Sequence, residues 1–157
     1  MSTQKLPDIA AILGSLLAGV APEDRPLLLA IAERQAAERY RQWANAVPDP
    51  AVRAGLLACA AREDEIATKV ESVYPDAAAV QQRLQAAHPE LQSVADTIFG
   101  NRPLGEQFAI QAAGERLGAA NWRAVAASRT DPAERATFLA CAPLEEASAV
   151  FLESLRA

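Results

Sequence analysis

The sequence predicts an all-α fold: a four-helix bundle with one long crossover, built from two copies of one helical hairpin within a single domain, residues 1-157. Three observations carry this. Residues 31–72 align without a gap on residues 113–154 at an offset of 82, with 18 of 42 positions identical, so one supersecondary unit is used twice. Apolar residues recur at steps of three and four along four segments, the period of an inward helical face. The chain is 51% hydrophobic but only 5% aromatic, and its Ala, Leu and Val show none of the β-branched alternation of strands.

The elements follow from local punctuation. A short helix over 7-19 has Leu6, Ile9, Leu13, Leu16 and Val20 at helical spacing and ends at Gly19. The first hairpin occupies 26-74. Its first helix starts at Pro26, a good first-turn residue, and reaches Val47. Pro48-Asp49-Pro50 breaks the chain and restarts it, with Asp49 as N-cap and Pro50 at the first helical position. Pro75 ends the second helix near Tyr74. The crossover, 75-102, holds helical pieces over Asp76–Ala87 and Glu90–Phe99. The second hairpin, 103-157, repeats the scheme with Asp131-Pro132 between its helices. Pro143 lies inside the last helix, where a missing backbone donor predicts a kink.

The four inward seams are alike. They read Pro26, Ala30, Glu33, Ala37, Tyr40, Ala44, Val47; then Val52, Leu56, Cys59, Glu63, Ile66, Val70, Val73. The second copy gives Phe108, Ala112, Glu115, Ala119, Trp122, Ala126; then Phe138, Cys141, Glu145, Ser148, Leu152, Leu155. Each seam carries one glutamate near its middle. An uncompensated carboxylate there costs several kcal/mol or stays protonated. Oxygen ligands brought together from facing helices give such residues a purpose, because they can hold divalent cations.

Composition bounds the function. A net charge of −5, spread along the chain, lacks the basic face that nucleic acid requires. The two cysteines fall at equivalent repeat positions and are expected to be reduced, buried and small, as in a cytoplasmic protein. Pro7 and Asp8 interrupt what would otherwise imitate a signal peptide, and the apolar run after them is short for a membrane span, so no membrane partner is expected.

The pattern Ala-Ile-Ala-Glu33, Tyr40, Asp49-Pro50 and Arg62-Glu63-Asp64-Glu65 resembles the ferritin-like superfamily, and within it the rubrerythrin branch, over about residues 26 to 156. The resemblance implies a di-iron or di-manganese carboxylate centre. In that family a glutamate from one helix and a Glu-x-x-His from the next are matched by the same set from the second hairpin. The glutamates fall on Glu33, Glu63, Glu115 and Glu145, while the histidine positions fall on Ile66 and Ser148. The implied centre is therefore altered: carboxylate-only, suited to iron, manganese or another divalent cation. It implies oxygen or peroxide chemistry if redox-active, a homodimer, and a separate redox partner, since no Cys-x-x-Cys rubredoxin pairs are present. The alternative is a non-catalytic helical interaction module with a vestigial site, in which the N-terminal helix and an exposed Trp43 offer contact surface.

Other residues have plainer readings. His88, the single histidine, is expected to be an exposed connector residue. Tyr40 and Trp122 read first as core packing and second as hydrogen-bond donors to the acids. Cys59 and Cys141 read as core filler rather than thiolate ligands. Arg34, Arg41, Arg116 and Arg123 form a repeated stripe one position off the seam, the mark of a solvated face.

Overall fold

A computed structural model describes residues 5–156. It is all-α. Helices α1 (Ile9–Ala18), α2 (Arg25–Ala46), α3 (Pro50–Ser72), α4 (Ala77–Ala87), α5 (Val94–Phe99), α6 (Leu104–Ala127) and α7 (Pro132–Ser154) follow one another without a strand among the described residues. Residues 1–4 and 157 lie outside the description, and with them the two ends of the expected 1-157 domain and the last residue of the 103-157 hairpin.

The repeated Asp-Pro signal does the same work twice. Asp49 Oδ1 accepts from the backbone N–H of Ala51 (2.8 Å) and Val52 (3.2 Å); Asp131 Oδ1 accepts from Ala133 (2.7 Å) and Glu134 (3.3 Å). Each satisfies two of the four N–H groups a helix start leaves unpaired, with proline at a position that lacks one anyway. Asp8 caps α1 in the same way, through the N–H of Ala11 at 3.0 Å.

The crossover differs from expectation. In place of one helix over Glu90–Phe99 there is a 3-10 turn, Pro89–Gln92, followed by α5. Ser93 separates them: its N–H and its hydroxyl both bond the carbonyl of Glu90, at 3.1 and 3.3 Å, and local side-chain bonding of this kind competes with helix continuation. Asn101, at φ 60°, makes the sharp turn into α6 in a region asparagine tolerates better than most residues. At the far end, α7 continues through Pro143 as one helical element.

α2 packs along α3, α6 along α7, and the two hairpins meet chiefly along α3 and α7. Gly55 permits that closeness: a Cβ there would stand 2.1 Å from the ring of Phe151. On the opposite side, α1 and α5 lie over the space between α2 and α6. Ile9, Ile12 and Val94 join a cluster with Tyr40, Trp43, Ile98, Phe99 and Phe108. Trp43 is thus a core residue, 5% exposed, rather than the exposed contact the sequence suggested. Its ring meets Tyr40, Phe99 and Phe108 edge-on at centroid distances of 5.4, 6.0 and 5.2 Å, and its Nε1 donates to Gln107 Oε1 at 2.9 Å. No helix of the described residues is long and apolar enough to cross a membrane.

Candidate metal centre

The four seam glutamates converge from four helices: Glu33 from α2, Glu63 from α3, Glu115 from α6 and Glu145 from α7. Glu63, Glu115 and Glu145 are buried, and Glu33 is partly exposed. Glu33, Glu63 and Glu145 each place a carboxylate oxygen within 4.8 Å of the others'. Glu115 lies beside this group, close enough for its charge to raise both Glu63 and Glu145.

Each acid is held differently. Tyr40 Oη donates to Glu115 Oε1 at 2.6 Å, and Gln111 Nε2 donates to the same oxygen at 2.7 Å. Trp122 Nε1 donates to Glu145 Oε1 at 2.7 Å. Ser148 Oγ donates to Glu63 Oε1 at 3.3 Å while accepting from Arg62 Nε at 3.0 Å. The second oxygens of Glu63 and Glu115 are buried with no hydrogen-bond partner. Buried polar atoms are nearly always paired, so two orphaned acceptors in one cluster point to something that supplies positive charge between them.

Electrostatics agree. Burial pushes the Glu33 carboxyl up to about 7, with the charge of Glu115 adding to it and contacts to Glu63 and Glu145 opposing it. Glu63 and Glu145 are raised well above the carboxylate range, first by burial and then by neighbouring acids, Glu115 foremost for Glu63 and Glu33 foremost for Glu145. Burial likewise raises Tyr40 far above the usual phenol value, with Glu115 adding to it, so it donates as a neutral hydroxyl. The cations nearest the cluster are Arg39, which gives two bonds to Gln111 Oε1 at 3.2 and 2.9 Å, and Arg62. Two guanidinium charges against four carboxyls leave a deficit that protons or a divalent cation must fill.

The sequence-predicted residues divide clearly. Glu33, Glu63 and Glu145 meet, and Glu115 lies beside them. Tyr40 and Trp122 are core residues and also hydrogen-bond the acids, so their second reading holds together with the first. Ile66 is fully buried and offers no donor atom; Ser148 faces Glu63. Cys59 and Cys141 are free and buried, and burial lifts the Cys141 thiol to about 12, so neither is a thiolate. His88 is partly buried rather than fully exposed: it sits against Gly19 and pairs with Glu90 Oε1 at 3.0 Å, outside the carboxylate group. Arg34, Arg116 and Arg123 are exposed and Arg41 is half-buried, and they pair with surface acids such as Asp64, Glu71, Glu146 and Glu153.

Sequence reasoning missed Arg39, Arg62, Gln111 and Gly118. Two of them are polar in one copy and apolar in the other, Arg62 matching Leu144 and Gln111 matching Leu29, while Arg39 matches the uncharged Asn121. The repeat comparison contains that signal, because a duplicated scaffold that acquires a polar residue on one side only has broken its symmetry for a local purpose. Gly118, opposite Ala36 in the repeat, is required by space: a Cβ there would lie 2.4 Å from Glu145 Oε1.

Beside the acids, between α2 and α6, is a cavity of about 160 Å³. Ile9, Ile12 and Leu16 of α1 and Val94 and Ile98 of the crossover cover it, and Glu33, Glu115 and Glu145 stand at its inner wall. Glu63, Ile66 and Ser148 do not line it; they lie toward α3 and α7. No protein-family model matches the chain, and neither a curated protein nor a solved structure shows significant similarity to it.

Proposed function

We propose that this chain is a ferritin-like bundle of the rubrerythrin type whose altered, carboxylate-only centre binds a divalent cation through Glu33, Glu63, Glu115 and Glu145. The observation that carries the reading is the pair of buried, unpartnered oxygens on Glu63 and Glu115 at the close group of Glu33, Glu63 and Glu145. The donor set is all oxygen, which suits Mn²⁺, Mg²⁺, Ca²⁺ or Fe²⁺ better than softer metals. Tyr40, Gln111, Trp122 and Ser148 orient individual carboxylates, the role such outer partners play around a metal. With iron or manganese bound, the cation supplies one-electron chemistry, and electrons come from a separate redox partner.

The direct test is elemental analysis of protein purified without chelator, followed by titration of the metal-free protein with Mn²⁺ and Fe²⁺. Stoichiometric metal, or affinity tighter than about 1 mM, is the expected result. Absence of both overturns the reading.

A second reading, a non-catalytic module with a vestigial site, has one observation in its favour: Ile66 fills a ligand position with a fully buried apolar side chain. The two readings separate on one variant. If the centre is vestigial, Glu33→Gln with Glu115→Gln leaves stability unchanged or raises it by about 1 kcal/mol or more in every buffer, since two buried acids lose their charge cost. If the centre binds a cation, the same variant loses the rise in melting temperature that added Mn²⁺ gives the parent.

A further inference from the structure

The cavity between α2 and α6 has a chemistry of its own. Its cover is aliphatic: α1 contributes Ile9, Ile12 and Leu16, and the crossover contributes Val94 and Ile98, while Gln35, Arg39, Gln111 and Asn121 stand in its walls. The inner wall is different, for there Glu33, Glu115 and Glu145 come together beside Trp122. Glu115 is 1% exposed, lines the cavity, and keeps one oxygen without any partner. A chamber with an aliphatic cover and a polar side that sets three carboxyls against one guanidinium, Arg39, matches a ligand with a hydrocarbon body and one cationic head. An alkylammonium group has three N–H donors and no acceptor, and three carboxyls at one end of the chamber supply what it needs.

We propose that this cavity binds a small primary amine, its ammonium group on Glu33, Glu115 and Glu145 and its hydrocarbon portion between α1, α5 and α6. The volume of about 160 Å³ sets the size. A dry cavity of roughly 150 Å³ accommodates benzene, so the body holds about six carbons. Arg39 opposes a cationic ligand, but it is turned to Gln111 Oε1 and lies over the Phe99 ring, 4.2 Å from its centroid, so its charge is already engaged. Glu63 faces Ser148 outside the cavity, and Arg62 compensates that side. The amine and a divalent cation would draw on the same carboxylates and therefore compete. The amine reading does not depend on metal binding.

The test uses metal-free full-length protein and three six-carbon probes: n-hexylamine, n-hexanol and n-hexanoate, titrated calorimetrically at pH 7.5. Hexylamine is expected to bind with a dissociation constant below about 1 mM and about tenfold or more tighter than either other probe. Gly114 lines the cavity, and a Cβ placed there meets no atom within 4 Å, so a leucine side chain can start from this position without a clash at its first carbon. Gly114→Leu is expected to weaken hexylamine about tenfold or more. Three results overturn the proposal: no hexylamine binding at millimolar concentration, equal binding of all three probes, or unchanged hexylamine affinity in Gly114→Leu. A Mn²⁺ titration of the same preparations reports the cation site separately, so failure of the amine is distinguishable from failure of the metal centre.

Discussion

Glu145 shows how little tolerance a single carboxylate has in this cluster. Trp122 holds one of its oxygens from the side, and Gly118 leaves the space that oxygen occupies. Gly118→Ala puts a methyl group into that space. Because Gly118 is in mid-helix, the substitution gains about 0.5–1 kcal/mol of intrinsic helix preference while displacing the acid. The expected outcome is a Mn²⁺ affinity reduced about tenfold with melting temperature little changed, read by parallel titration and thermal unfolding. Equal affinity in the variant would mean that Glu145 contributes nothing to cation binding. Tyr40 carries a comparable burden on the other hairpin. Tyr40→Phe keeps the ring packed against Trp43 but removes a donor to Glu115. It is expected to cost about 0.5–1.5 kcal/mol in metal-free protein, measured by chemical denaturation, because a buried carboxyl oxygen that accepts from both Tyr40 and Gln111 keeps only the Gln111 donor.

At the scale of elements, the two hairpins are started by the same device and then put to different uses. Asp49 and Asp131 cap α3 and α7 with nearly equal geometry. Asp49→Ala and Asp131→Ala should each cost about 1 kcal/mol, and nearly the same amount, in denaturant titrations. The interiors then diverge. Tyr40 reaches across to Glu115, whereas its counterpart Trp122 turns to Glu145 within its own hairpin rather than to Glu33. That leaves Glu33 the one acid with partial exposure, placed where the cavity meets the cluster. The duplicated pattern made the four acids, their helices and their caps legible in the sequence. It could not show this divergence, because which donor serves which carboxylate depends on how the hairpins are set against each other.

For the whole molecule, the cluster imposes an unusual pH dependence. Glu33 is raised to about 7 in the folded chain, from an ordinary value of 4.5 when unfolded. Between those values the native state binds more protons than the unfolded state, so stability is greatest at the acid end and falls as pH rises through about 7. The raised Glu63 and Glu145 act in the same direction. Surface carboxylates held low by arginines, such as Asp64 and Glu153, act oppositely but only at more acidic pH. Metal-free protein is therefore expected to melt several degrees lower at pH 8 than at pH 5.5. Saturating Mn²⁺ should flatten or reverse that slope, because the cation takes the place of the protons and binds more tightly as they leave. A melting temperature that rises steadily from pH 5.5 to 8 without metal would show that the acids are not buried as a group.

The sequence by itself determined the helices, their boundaries to within a few residues, the duplicated hairpin and the four inward glutamates. These follow from periodicity, capping and proline placement, which act over one or two turns of chain. Only the tertiary structure decided the rest. Trp43 is buried because Phe99 of α5 and Phe108 of α6 pack on its ring, and no local pattern encodes that meeting. Arg39, Arg62 and Gln111 join the acids from positions off the seam, since a long side chain reaches a neighbouring helix that spacing alone does not place. The apolar cavity exists because the hairpins meet along α3 and α7 and stand apart at α2 and α6. That choice of contact rests on packing between helices far apart in sequence, where Gly55 against Phe151 counts as much as any motif.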